Sequence, residues 1–110
     1  MNPEIEQKTG CIALALEAVG DKWSPLILRD LAGGRRRFNQ LQTSLCGISP
    51  RTLSQRLERL AELDIITKHC FSEMPPRVEY ELTDKGQDLI PILKAMATWG
   101  DKYYSPTPSK

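Results

Sequence analysis

Gly47–Leu63 reads GISPRTLSQRLERLAEL, and this stretch decides the fold. Ser49 is a good N-cap, because its hydroxyl can accept from an unpaired backbone N–H. Pro50 suits the first helical position, where a missing N–H costs nothing. Leu53, Leu57 and Leu60 recur at i, i+4 and i+7, which places them on one side of a helix. At about 100° per residue the opposite side carries Arg51, Gln55, Glu58 and Glu62, flanked by Ser54 and Arg59. The outward side chains of the first two turns are therefore Arg51, Ser54 and Gln55, hydrogen-bonding groups suited to base edges and phosphates. On this helix alone an ordinary solvated face has an equal claim, and the surrounding sequence tips the balance.

Just upstream, Phe38-Asn39-Gln40-Leu41 opens a helix that ends near Leu45, and Gly47 supplies a turn. Two short helices joined through a glycine, the second capped and polar outward, predict a helix-turn-helix. Arg35, Arg36 and Arg37 form a basic loop before it. Further back, Ser24-Pro25 repeats the cap-then-proline signal and predicts a helix through LILRDLA to Gly33-Gly34. Its core face is Trp23, Leu26, Ile27 and Leu31. Cys11–Val19 is an alanine-rich apolar run with Glu17 as its only charge, closed by Gly20 as a left-handed cap. A helix so apolar needs cover on more than one side, and in so small a domain a second chain is a natural cover.

Downstream, Ile65–Phe71 is β-branched and aromatic and predicts a strand, interrupted by Ser72-Glu73-Met74-Pro75-Pro76. Val78, Tyr80 and Leu82 alternate with Glu79 and Glu81, giving a second strand with one buried face. A hairpin after a helix-turn-helix is a wing. Thr83 caps a last helix that runs to about Tyr104, with Pro91 kinking it and more apolar surface than one small domain uses. The predicted organisation is a polar N-terminal arm at 1–10, one domain at 11–104 and a flexible tail at 105–110. The fold class is mainly α with a small β-hairpin.

The chain has 110 residues, 40% of them hydrophobic, enough for one modest core. Its net charge of +1 hides an asymmetry. Between Lys22 and Arg59, Lys and Arg occur at 22, 29, 35, 36, 37, 51, 56 and 59, against only Asp30 and Glu58, while the rest of the chain is net acidic. A basic segment on a near-neutral domain is what a phosphate-facing surface looks like, although charge runs also occur on plainly solvated faces. Cys11, Cys46 and Cys70 are an odd, widely spaced set that implies no disulfide framework. The polar start MNPEIEQK is no signal peptide, and no apolar run is long enough to span a bilayer. A reducing cytoplasm is the expected location.

The chain resembles the HxlR family of bacterial winged helix-turn-helix transcription regulators. The resemblance rests on Gly20-Asp21-Lys22-Trp23, Ile27–Leu31, Arg37–Leu41, Gly47–Leu57, Pro75–Tyr80, Leu82–Gly86 and Trp99, which occur in the family's order over most of the chain. It implies a homodimer, joined through the first and last helices, that binds a pseudo-palindromic operator and represses an adjacent gene. Ile12, Leu16, Leu93, Met96, Trp99 and Tyr103 are the residues expected at that dimer interface. Two departures stand out. Cys46-Gly47 replaces the usual proline-glycine pair, and Ile12 replaces the proline usual after the family's N-terminal cysteine.

For DNA, Arg51, Ser54 and Gln55 are the candidate base readers, supported by Ser49 and Thr52 in the same first turn. Arg can fork onto guanine and Gln onto adenine, each good pair discriminating by roughly 1–3 kcal/mol. Arg56 and Arg59 suit phosphate contact, as does Arg37, with Phe38 anchoring the helix behind it. Arg77 follows Pro75-Pro76 and is aimed at the minor groove or its phosphates; a salt bridge to Glu73 or Glu79 is the competing reading. Lys22, Arg35 and Arg36 have no role beyond solubilising a loop.

Cys11 resembles the N-terminal cysteine of redox- or electrophile-sensing members and stands where a helix begins, which favours a thiolate. Cys46 is its candidate partner across a dimer. A small buried hydrophobe is the competing reading for Cys11, and packing is the expectation for Cys70. His69 and Cys70 point to opposite faces of a strand, so they make neither a chelate nor a hydrolase dyad. No metal site, cofactor or enzymatic motif is expected. Two other readings compete with the DNA-binding regulator: a winged-helix protein-interaction module that leaves DNA alone, and a MarR-like regulator that closes on a small ligand. The second lacks the long extra helices that build a ligand cavity.

Overall fold

The computed structural model describes residues 11–104. The N-terminal arm and the tail expected from the sequence lie outside the described residues. The elements in chain order are α1 (Ile12–Val19), α2 (Trp23–Leu31), β1 (Arg36–Arg37), α3 (Phe38–Ser44) and α4 (Pro50–Glu62). After them come β2 (Ile66–Phe71), β3 (Arg77–Leu82), α5 (Asp84–Gln87) and α6 (Ile90–Tyr104). The strands form one antiparallel sheet in the order β1-β3-β2. The winged helix-turn-helix expected from the sequence is present: α3 and α4 are the paired helices and β2–β3 the wing.

The ends of α4 follow from local chemistry. Ser49 Oγ accepts from the Thr52 N–H at 3.1 Å, with Pro50 as the first helical residue. At the other end Asp64 takes φ 63°. Ile65 N–H reaches the Leu60 carbonyl at 2.9 Å, and Asp64 N–H reaches Ala61 at 3.0 Å. This is a Schellman cap in which aspartate, which tolerates the left-handed region, stands where glycine is usual. Ile65 consequently belongs to the cap and the core, and β2 starts one residue later than the sequence predicts.

Three further expectations are corrected. Ser24 does not cap α2; it lies inside that helix and is buried. Asp21 does the capping, its Oδ2 accepting from the N–H of Trp23 at 3.0 Å and of Ser24 at 2.9 Å. The basic loop contains a short strand, because Arg36 and Arg37 pair with Tyr80 and Glu79 of β3. The last helix is broken, not kinked. Pro91 stands second in α6, where its missing N–H is harmless, and the chain turns at Asp88-Leu89 between α5 and α6.

The core gathers Ile27, Leu28 and Leu31 of α2, Leu41 of α3 and Leu53, Leu57 and Leu60 of α4, closed by Ile66, Tyr80 and Leu82 of the sheet. Each of these aliphatic side chains contributes about 1.5–3 kcal/mol by leaving water. Alpha1 and α6 take little part. Only Val19 of α1 is buried, and no residue of α6 is.

Burial pushes the Asp21 carboxyl pKa up, but Ser24, the Trp23 N–H and the Arg56 guanidinium outweigh it and hold the group below its ordinary value. A carboxyl depressed in the folded state stabilises the fold above its unfolded pKa of 3.8, and that contribution fades as pH falls through the folded value. Asp21→Ala is therefore expected to cost about 1 kcal/mol at pH 7 in urea melts, a cap loss of ordinary size. The difference from wild type should shrink as pH falls below 3.8 and on through the lower folded value, where the wild-type carboxyl also becomes neutral.

Candidate nucleic-acid interface

The N-terminal half of α4 presents Arg51, Ser54 and Gln55 to solvent, and among the described residues no side chain engages any of the three. Thr52 is half-buried and receives the Ser49 hydroxyl at 2.9 Å, so those two fix the helix start. Beyond the second turn the outward face turns acidic at Glu58 and Glu62. The basic, hydrogen-bonding surface is thus confined to the first two turns.

Alpha4 has 13 residues and spans about 20 Å; β2, with six extended residues, covers a similar length. β2 follows α4 in the chain and packs against it. Lys68 and Tyr80, midway along the hairpin, already line a groove with Ser54 and Glu58. The middle of the hairpin therefore lies beside Ser54, one of the base-reading candidates. Arg37, exposed, precedes α3 and is joined to Glu79 through the sheet. Its backbone N–H donates to the Gln40 side chain at 2.8 Å, which fixes the start of α3.

Arg56 and Arg59 do not join this surface in the folded chain. Arg56 Nε lies 3.0 Å from Asp21, tying α4 to the start of α2. Arg59 lies 3.2 Å from Glu17 of α1 and 3.8 Å from Glu62. Both sit on the flank of α4 that meets α1 and α2. The Arg59 pairs are exposed and worth about 0–1 kcal/mol each.

Arg77 takes the competing reading from the sequence. It contacts Glu73 at 3.1 Å and Glu79 at 3.3 Å, with its guanidinium carbon 4.3 Å above the Phe71 ring centre. Arg35, expected only to solubilise a loop, contacts Glu79 at 3.7 Å and Glu81 at 3.3 Å. His69 Nε2 lies 2.9 Å from Glu81. The result is a ladder of polar contacts, Glu73–Arg77–Glu79–Arg35–Glu81–His69, along the outer face of the sheet. The hydrogen bond from His69, then Arg35, holds the Glu81 carboxyl below its usual range. Strand alternation placed these groups on one face in the sequence; which cation meets which carboxylate depends on register.

A second surface is apolar. Ile92, Met96, Trp99 and Tyr103 form an i, i+4, i+7, i+11 stripe on α6, each more than half exposed. Trp99 meets Tyr103 and Tyr104 with ring centres 5.5 Å apart. On α1, Ile12, Leu14 and Leu16 are exposed as well. Leu93, expected here, turns inward and lines a groove with Leu26 and Ile90 of the same chain. Ile92 holds the place on the stripe, a spacing legible in the sequence. A further groove of about 590 Å³ runs between α1, the end of α4 and α6, floored by Ala18, Leu63 and Leu89.

Cys11 is half-buried at the N-cap position of α1, and Cys46 is exposed just after α3. Cys70, expected to pack, is exposed on β2. All three are thiols. Among the described residues no three His, Cys, Asp or Glu side chains group as a metal site.

Comparison with known proteins gives one consistent picture. Residues 18–108 match the HxlR-like helix-turn-helix family. An HTH-type transcriptional regulator of Methanothermobacter thermautotrophicus is 38% identical over 94 residues, covering 86% of this chain and 72% of that protein. The regulator MT3179 of Mycobacterium tuberculosis is 45% identical over 92 residues, 84% of this chain but 58% of the longer relative. Among solved structures, the oxidised form of the redox regulator HypR superposes with a TM-score of 0.79 at 31% identity, covering 83% of this chain and 94% of that one.

Proposed function

The chain belongs to the HxlR-like helix-turn-helix family, and on that premise we propose that it is a transcription regulator that binds an operator in double-stranded DNA as a homodimer. The observation that carries the reading is the contrast along α4. Arg56 and Arg59 are spent on intramolecular ion pairs, whereas Arg51, Ser54 and Gln55 stand unengaged on the first two turns. Placed in a major groove, Arg51, Ser54 and Gln55 meet base edges, Arg37 meets a phosphate, and Ser49 and Thr52 set the entry angle. Arg59 reaches a phosphate only by giving up its exposed pairs. The relatives are transcriptional regulators, which supports a regulator and not an enzyme. No described helix is long and apolar enough to cross a membrane, and the reading locates the protein with the DNA of the cytoplasm. Repression of an adjacent gene is the mode that the family resemblance favours.

The test is fluorescence anisotropy of the reduced protein. It is titrated against a duplex that it selects from a randomised pool and against a scrambled duplex, at two salt concentrations. Specific binding should be roughly 10³-fold or more tighter than scrambled and should weaken as salt rises. Arg51→Ala should cost about 10- to 100-fold of the specific affinity, in line with one lost bidentate base contact. Arg56→Ala should leave DNA affinity within about threefold and instead lower stability by about 1 kcal/mol. Absence of binding at low salt would replace this reading with the protein-interaction module.

A thiol response is the second part of the proposal, supported by the likeness to a redox regulator and by Cys11 at a helix start beside the dimer face. Cys11 and Cys46 of the partner subunit would each lose one proton and one electron to a peroxide. The peroxide leaves as two waters, and an intersubunit disulfide forms. Peroxide treatment should give a covalent dimer on a non-reducing gel that is absent from Cys11→Ser and from Cys46→Ser. A dimer band persisting in both variants refutes this pairing.

A further inference from the structure

Alpha6 has two apolar faces, and only one of them is the stripe of Ile92, Met96, Trp99 and Tyr103. Ile90, Leu93, Lys94 and Ala97 lie roughly 140° around the helix axis from that stripe, at about 100° per residue. There α6 packs against α2, and the two helices wall a groove of about 460 Å³. Leu26 of α2 meets Ile90, Leu93 and Ala97 of α6 along it. Such a volume with an apolar lining suits a small molecule whose body is buried and whose few polar groups are held at fixed points. The charged groups that line this groove are both cations. Arg29 comes from α2 and Lys94 from α6, and no carboxylate lines the groove. Lys94 has no ion pair among the described residues, and Arg29 meets only its neighbour Asp30, at 3.4 Å and from an exposed position. A cover for the stripe does not fill this groove, because the two faces point apart.

We propose that this groove is an effector site for a small carboxylate with an apolar body. The body rests on Leu26, Ile90 and Leu93, and the carboxylate lies between Arg29 and Lys94. A neutral ligand would leave both cations unanswered, and a cationic one would be repelled. Alpha2 belongs to the core that holds α4, through Ile27, Leu28 and Leu31, whereas α6 carries the stripe assigned to the dimer. A body wedged between these helices alters the angle of α6 to the core, and with it the spacing of two α4 helices. Operator affinity then falls, because the operator fits the ligand-free spacing. That last step rests on the DNA-binding reading above; occupancy of the groove does not.

The experiment is titration calorimetry of the DNA-free protein with 2-naphthoate and octanoate, which separate an aromatic body from an aliphatic one. Naphthalene-2-methanol and octanol are the neutral counterparts. At least one acid should bind saturably, one per chain, and about fivefold or more tighter than its alcohol. Arg29→Gln and Lys94→Gln should each weaken the acid about fivefold and leave the alcohol unchanged. Ala97→Phe fills the groove from an exposed position. It should abolish binding without moving the thermal midpoint or the oligomeric state. The bound acid should weaken operator binding by about fivefold or more in wild type and not in Ala97→Phe. Saturation by neither acid, or equal affinity for acid and alcohol, overturns the proposal. A changed oligomeric state in Ala97→Phe gives the groove to a second copy and overturns it too, as does an acid that binds while operator affinity stays the same. A protein that binds the acid but no DNA overturns the DNA reading and leaves the groove assignment standing.

Discussion

Trp99→Glu is expected to convert the protein to a monomer that still folds. Trp99 lies at the centre of the α6 stripe, 58% exposed, packed on Tyr103 and Tyr104 of its own helix. Among the described residues nothing covers this stripe, and no residue of α6 is fully buried. In a homodimer the indole would be desolvated, and a carboxylate there would have to be buried without a partner, a penalty of several kcal/mol. Within the monomer the same carboxylate stays in water, so the thermal midpoint of the isolated chain should move little. Sedimentation velocity at micromolar concentration should show the wild type as a dimer and the variant as a monomer. Operator affinity should fall by about 100-fold or more, since two linked half-site contacts become one. A variant that remains dimeric would place the interface elsewhere, and the α1 surface at Ile12 and Leu16 would be next to test.

The largest effect on stability is expected at Gly86. Alanine in place of an exposed helical glycine ordinarily stabilises by up to about 1 kcal/mol. Here the sign should reverse. Gly86 is buried in α5, its N–H donating to Thr83 Oγ1 at 3.1 Å, and a β-carbon would overlap the backbone carbonyl of Ile65. That carbonyl already accepts from the Thr83 N–H and hydroxyl, each at 3.0 Å, so it cannot yield without loosening the link between α4, β2 and α5. Overpacking against backbone costs about 1–3 kcal/mol, and the lost hydrogen bonds add to it. Gly86→Ala should lower stability by about 3 kcal/mol in urea melts and the melting temperature by roughly 10–20 °C. A change of only a degree or two would mean that α5 can shift away from Ile65 at little cost.

Both outcomes bear on DNA binding through position. The dimer helices would set the spacing of the two recognition helices. The Gly86 junction fixes how α4 and the wing leave the core together.

How far the sequence reaches depends on whether a feature is local. Ser49-Pro50 and the Leu53, Leu57, Leu60 spacing settle α4, its start and its buried side, because capping and helical periodicity act within a few residues. The alternation from Arg77 to Leu82 settles the wing's inner and outer faces for the same reason. The apolar excess of α1 and α6 is legible too, and with it the need for a cover. Tertiary structure decides the rest. Asp21 and not Ser24 caps α2, since both types can cap and only the packed chain buries Ser24. The two-residue strand at Arg36–Arg37 exists only because β3 offers it a free edge. Above all, the fate of each arginine is a long-range matter. Arg56 meets a carboxylate 35 residues away and Arg59 one 42 residues away, so neither pairing shows in the local sequence. Sequence alone determined which helix carries the exposed hydrogen-bonding face of Arg51, Ser54 and Gln55; only the packing of α1, α2 and the sheet around it decided that Arg51 and Gln55 stay unengaged while Arg56, Arg59 and Arg77 enter ion pairs within the chain.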